Sequence, residues 1–357
     1  KIKGSYIQCL CKMAEFINAY SRNDGLSPLW GDADDGRTIP FGGQNKNDHG
    51  YLTSIIGYVF NCKNFSFSSI KSPTEVFWTI GPRAIPNKTN AFKVPSSKAF
   101  PDSGVYILRN QDDLIFVNCG PVGMAGRGGH GHNDCLSFEA SLKGHSLITD
   151  SGTFVYSADQ KWRNDFRSTK FHNTPIIDDE EQNRFVDPDF LWSLYDDAKP
   201  EVRSWSINKD IDCFIGLHTG YQRLPSPVKP VRCIALEKSS HRIIILDRFQ
   251  GTGEHKVQVP YHFSIGVKVI QNSSGIWRIL SGKKEFLLIS NLEDKWSAVI
   301  EESWVSPSYG IKHSTKVLNF YCQGPLKPLF VSIMPSENAP ADPIKWLMEI
   351  SEKEILK

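Results

Sequence analysis

The segment "GRGGHGHNDCLSFE", residues 126–139, sets two histidines two positions apart, just after three glycines and just before a run holding Asp134, Cys135 and Glu139. If this stretch enters a β-strand, His130 and His132 project to the same face, because successive side chains alternate. The two imidazoles then act together. The following "KGHSLITDSGT" predicts a turn at Lys143-Gly144 and a return strand ending at Asp150, which brings a carboxylate back beside the histidines. His172, in "RSTKFHNT", supplies another imidazole. Two or three imidazoles with one carboxylate are the usual nitrogen and oxygen ligand set for zinc, so a metal site is the chemistry these residues point to. The spacing does not divide ligands from a histidine left free for proton transfer. Glu139 stands seven residues beyond His132, on the opposite strand face, which counts against it as the general base of a zinc hydrolase.

Arg163 and Arg167 lie close by in "WRNDFRST". A guanidinium makes the bidentate contact that a carboxylate or sulfate wants, so both are candidate substrate-binding groups. The alternative is structural pairing with Asp165, Asp178 or Asp179.

The elements that must position these residues change character near residue 85. "SYIQCLCKMAEFINAY" places Ile7, Leu10, Met13, Phe16 and Ile17 at helical spacing, and "YLTSIIGYVF" and "SPTEVFWTIG" predict two further short helices. Between the first two runs "GDADDGRTIPFGGQNKNDHG", with Asp32, Asp34, Asp35, Asp48 and His49, is expected to be an acidic loop facing water. From "GVYILRNQDDLIFVNCG" onward alternating and β-branched runs follow one another without interleaved helices, among them "RIIILDRF", "HKVQVPYHFSI", "EFLLISNL" and "PLFVSIMP". Such a succession predicts large antiparallel sheets packed as a sandwich.

Composition sets the outer bounds. A chain of 357 residues with a hydrophobic content of 40% and a charged content of 22% is an ordinary globular protein with room for a sizeable core. Its net charge of +2 is spread along the chain, without the basic runs that nucleic-acid binding calls for. No apolar run approaches a membrane span, and the first residues lack the arrangement of a signal peptide. The eight cysteines contain no C-x-x-C pair and read mostly as small buried hydrophobes.

Taken in order, "FPDSGVYILRN", "GRGGHGHNDCLSFEASLKGHSLITDSGTFVY" and "WRNDFRSTKFHNT" resemble the sheet domain of the heparinase II/III family of polysaccharide lyases, and "GDADDGRTIPF" with the helix after it resembles the end of that family's helical toroid. The resemblance implies a mainly β chain with an N-terminal α part: a helical segment over residues 1–85 ending an (α/α) toroid, then an antiparallel β-sandwich over 86–357. It implies elimination, not hydrolysis, on an acidic polysaccharide held between the two. It also divides the histidines. His130 matches a catalytic position, whereas His132, Asp150 and His172 match the ligands of a structural zinc. Tyr156 roughly matches a tyrosine that takes part in catalysis.

In the family the remaining catalytic groups sit on the toroid, for which this chain has about 30 residues before the acidic loop. The expectation is therefore a lyase, or the sheet half of one, acting on a uronic-acid polysaccharide in the periplasm or after secretion. The alternative is a non-catalytic glycan-binding or structural module that keeps the zinc.

Overall fold

The computed structural model describes residues 4–37, 45–60, 74–82, 95–292 and 295–352. The predicted boundary at residues 85/86 and Cys62 lie outside them. Within Glu254–His262, His255, Val257, Val259 and Tyr261 are buried while Glu254 and Lys256 are exposed, the period-two pattern of a strand with one face on a core. Seventeen strands are described, and the named strands pair antiparallel throughout. They form sheets of five, eight and four strands. A shared core joins the three: Leu108, Phe138 and Ile148 from the first, Ile234 and Ile245 from the second, Val259 and Phe320 from the third.

The predicted helices appear as α1 (Gly4–Tyr20), α2 (Gly50–Val59) and α3 (Thr74–Ile80). The end of α1 lays Ala19 and Tyr20 on Val105, Ile107, Leu114 and Phe116, the face of the five-stranded sheet turned away from the shared core. A fourth helix, α4 (Gln160–Arg167), starts where the Asp159 carboxylate accepts the Trp162 N–H at 3.0 Å. It was not anticipated, and neither was α5 (Pro343–Glu352), whose Leu347 closes a second cluster with Ile244, Leu246 and Phe330 on the outer face of the eight-stranded sheet. No helix among the described residues is long and apolar enough to cross a membrane.

The strand expected to carry both histidines is shorter than predicted. It begins at Phe138, and residues 130–137 run as irregular chain. The glycines explain why. A Cβ on Gly131 would lie 1.9 Å from the Val122 carbonyl oxygen, and one on Gly128, whose φ is +67°, would lie 2.8 Å from Leu194 Cβ. Backbone is packed against neighbours here, which a regular strand would not allow.

Candidate functional site

The hairpin of Phe138–Leu142 and His145–Ile148 forms as predicted, turning through Lys143 and Gly144 at positive φ. Past its end Asp150 accepts the Gly152 N–H at 2.9 Å, which bends the chain and aims the other carboxylate oxygen at His172 Nδ1, 2.6 Å away. Asn173 fixes this junction. Its amide donates to the Phe138 and Thr149 carbonyls at 2.9 and 2.8 Å, and its oxygen accepts the His262 N–H at 2.6 Å. The His132 and His172 rings lie 5.2 Å apart between centroids, tilted at 41°, so Asp150, His172 and His132 do come together.

The organising residue is one the sequence reading left in solvent. Asp32 is buried, with a side chain only 1% exposed, and its carboxylate meets His130 Nδ1 at 3.1 Å, His132 Nε2 at 2.8 Å and the guanidinium of Arg163. Burial would raise its carboxyl, but the hydrogen bonds from His132 and Arg163, with the guanidinium charge, win and hold it down to about 2. The expected water-facing acidic loop is thereby corrected at Asp32, a buried carboxylate with the partners such burial needs. Asp35 and Asp48 are half-buried; Asp35 accepts the Tyr309 N–H at 3.0 Å, and Asp48 accepts the Gly50 N–H at 2.9 Å at the start of α2. A cavity of about 320 Å³ opens between α1, α2 and this segment, lined by Tyr20, Trp30, Asp32, Asp34, Arg37 and His49.

The two histidines of the H-x-H pair differ in exposure. The His130 side chain is 63% exposed, and that of His132 is closed off. Burial, against the pull of Asp32, brings His132 down to about 4, so its ring is neutral. With Nε2–H given to Asp32, its Nδ1 has no partner, and neither has Nε2 of His172. Each ring thus has one nitrogen held by a carboxylate and one left open, the way carboxylates orient metal-ligating histidines. The donor chemistry fits a zinc ion. It is not a ready-formed cage, because Asp150 is engaged with His172, and no group of three donors converges among the described residues. Asp150 also counteracts the effect of burial on His172 and raises it above the usual imidazole range, so an incoming ion would displace a proton there.

The arginines depart from the substrate-binding expectation, because both side chains are fully buried. Arg163 pairs with Asp32 rather than with Asp165, Asp178 or Asp179. One turn later on the same buried face of α4, Arg167 donates to the carbonyls of Leu191 and Ser193 at 3.1 Å and of Phe190 at 3.3 Å. Their work is to hold protein segments in place.

Tyr156 lies near the cluster, its ring 5.3 Å from the Arg163 guanidinium and 4.9 Å from the Trp192 ring. Burial, then Asp32 and Asp34, push its phenol well above the usual range, so it keeps its proton. Its N–H donates to the Tyr309 hydroxyl at 3.2 Å, and the two rings are 5.1 Å apart. Tyr309 comes from the tip of the hairpin Trp296–Ser308 and Ile311–Pro325, and no sequence signal links positions so far apart. Asp32 has a signal, its place in "GDADDGR", which indicates charge but not burial. Trp192 has none beyond its type.

Three comparisons bear on this arrangement. The heparan sulfate lyase HepC of Pedobacter heparinus superposes with a TM-score of 0.69 at 19% identity, over 93% of this chain and 47% of that one. A structure of heparinase III gives 0.71 at 14% identity, over 93% and 49%. The chondroitin AC lyase of Streptomyces coelicolor A3, in complex with chondroitin sulphate, gives 0.51 at 11% identity, over 99% and 51%. At these identities the likeness is one of fold, and the chain spans about half the length of each. No curated protein matches the sequence. Residues 93–347 match the family described as Heparinase II/III-like, C-terminal, and the chain belongs to that family.

Proposed function

We propose that this chain is the sheet-domain part of a polysaccharide lyase that cleaves a uronic-acid polysaccharide by β-elimination, with a structural zinc. The observation that carries the reading is His130: an exposed imidazole whose Nδ1 is held by a buried, permanently charged carboxylate. Donation of Nδ1–H to Asp32 leaves the Nε2 lone pair free to act as a base. In the proposed reaction Nε2 of His130 takes the C5 proton of the uronate, the electron pair forms the C4–C5 double bond, and the C4–O bond to the leaving sugar breaks. The leaving oxygen takes a proton from the Tyr156 phenol, which is kept protonated by burial and by the two nearby aspartates. Neutralising the substrate carboxylate falls to neither Arg163 nor Arg167, since both are buried and engaged.

Zinc belongs to the same proposal, held by His132 and His172 with Asp150. Bound there it would tie the histidine loop to the end of the Phe138–Ile148 hairpin, a structural task. Acidic polysaccharides are met outside the cytoplasm, so the proposed place of action is the periplasm or the medium. The test is a continuous ultraviolet assay on a panel of uronate polymers. Elimination leaves an unsaturated uronyl end that absorbs, and with a toroid present the expected result is a rise on at least one polymer, none on neutral glucans, and loss of the signal in His130→Ala, whereas residues 1–357 alone are expected to show little or no turnover. Cleavage that leaves only saturated ends would overturn the lyase reading. Binding without cleavage would favour the glycan-binding module.

A further inference from the structure

Trp192 sits where both proposed catalytic side chains can be reached from one ring. Its indole lies 5.4 Å from the His130 imidazole and 4.9 Å from the Tyr156 phenol, tilted at 66° to each. It is 41% exposed. The backbone beneath it is not a loose loop. The buried Arg167 guanidinium holds the carbonyls on either side of it, those of Leu191 and Ser193, each at 3.1 Å. The Leu194 N–H donates to the Arg127 carbonyl at 3.1 Å, and Gly128 leaves room for that approach, so the glycine run ahead of His130 and the Trp192 segment are fitted to each other. The buried guanidinium of Arg163 packs 5.1 Å from the indole centroid.

We infer that Trp192 is a stacking platform for a pyranose ring of the substrate glycan, directly beside His130. The inference rests on the lyase reading and adds a binding position to it. A pyranose has a C–H face that an aromatic π face attracts, while its hydroxyl and acidic groups stay at the rim in water. An indole backed on one side by the Arg163 guanidinium, with its flanking carbonyls pinned by Arg167, is held in place, which lowers the ordering cost of stacking a sugar on its other side. The occupant is an acidic sugar ring because the polymer processed at His130 is acidic; the stacking itself is indifferent to charge.

The test is calorimetric titration of the 357-residue chain with hexasaccharides of heparan sulfate, chondroitin sulfate and alginate, and with a neutral cellohexaose. Trp192→Ala and Trp192→Phe are compared with the parent, each checked for an unchanged thermal midpoint. Trp192→Ala is expected to weaken binding on the order of tenfold and Trp192→Phe to stay within about threefold. Equal affinity of the parent and Trp192→Ala for an acidic hexasaccharide overturns the platform and leaves the lyase reading standing. Trp192-dependent binding of the neutral glycan alone overturns the acidic substrate and leaves the platform. If no glycan binds the parent, both fail.

Discussion

At Asp32 one carboxylate, its side chain only 1% exposed, serves three donors, His130, His132 and Arg163, and its charge and the arginine's neutralise each other. Removing the shared carboxylate strands its buried partners His132 and Arg163, and Asp32→Asn is expected to lower the free energy of unfolding by about 3 kcal/mol, seen as an earlier urea midpoint. A change within about 0.5 kcal/mol, the range of an ordinary surface substitution, would mean that Asp32 is not the hub. The two histidines should separate in a different assay. His130→Ala is expected to keep zinc content and thermal midpoint while abolishing elimination, because its ring is exposed and its carboxylate partner, Asp32, is not one of the proposed ligands. His132→Ala is expected to lose zinc by elemental analysis and to melt earlier, since metal binding contributes to folding. Equal zinc loss in both variants would show that the pair is divided wrongly.

The element that carries the pair is a glycine-rich turn and not a strand, and its shape depends on absent side chains. Gly131 has the Val122 carbonyl where a Cβ would be. Gly131→Ala is therefore expected to cost about 1–3 kcal/mol, in the range of overpacked interiors, and to reduce activity with it by moving His130 and His132. Gly144→Ala makes the control. Its Cβ would meet only Asp112 Cβ at 3.9 Å, so only the φ of +78° is strained, and a smaller loss confined to stability is expected. Equal losses in the two would mean that the clash at Gly131 costs no more than the positive φ at Gly144. The same logic applies to α4, whose two arginines, four residues apart on one buried face, reach in turn to Asp32 and to the Trp192 segment.

Across the whole molecule the sheets bury imidazoles that stay neutral at neutral pH. Burial brings His218 down to about 3 and His262 to about 4. His262 is wedged between the Ser303 hydroxyl at 2.9 Å and the Lys170 carbonyl at 3.0 Å, which suits a neutral ring. Both folded values lie below the ordinary one near 6.5, so above that pH neither state of the chain binds a proton and stability is complete. Below it the unfolded chain takes up protons that the fold refuses, and stability falls until the folded values are reached. At pH 5 the loss is about 2 kcal/mol per histidine. Urea midpoints at pH 7 and pH 5, with chelator present to remove any contribution from metal, should show it. His262→Gln should flatten the dependence, and an unchanged slope would count against His262 as a source.

The sequence by itself determined the local elements: the three N-terminal helices, the succession of antiparallel strands, and the hairpin that returns Asp150 toward the histidines. Periodicity and turn chemistry act over a few residues, so they can be read in order along the chain. The resemblance of its motifs also reached the family. Only the tertiary structure decided that Asp32 is buried among His130, His132 and Arg163, that Arg163 and Arg167 hold protein and not substrate, and that Tyr309 and Trp192 stand beside Tyr156. Each of these depends on which groups become partners once water is excluded, and those partners lie dozens to more than a hundred residues apart. A charged side chain reads the same in sequence whether it faces solvent or a buried counter-ion; the packing of three sheets and α4 around one point chooses between them.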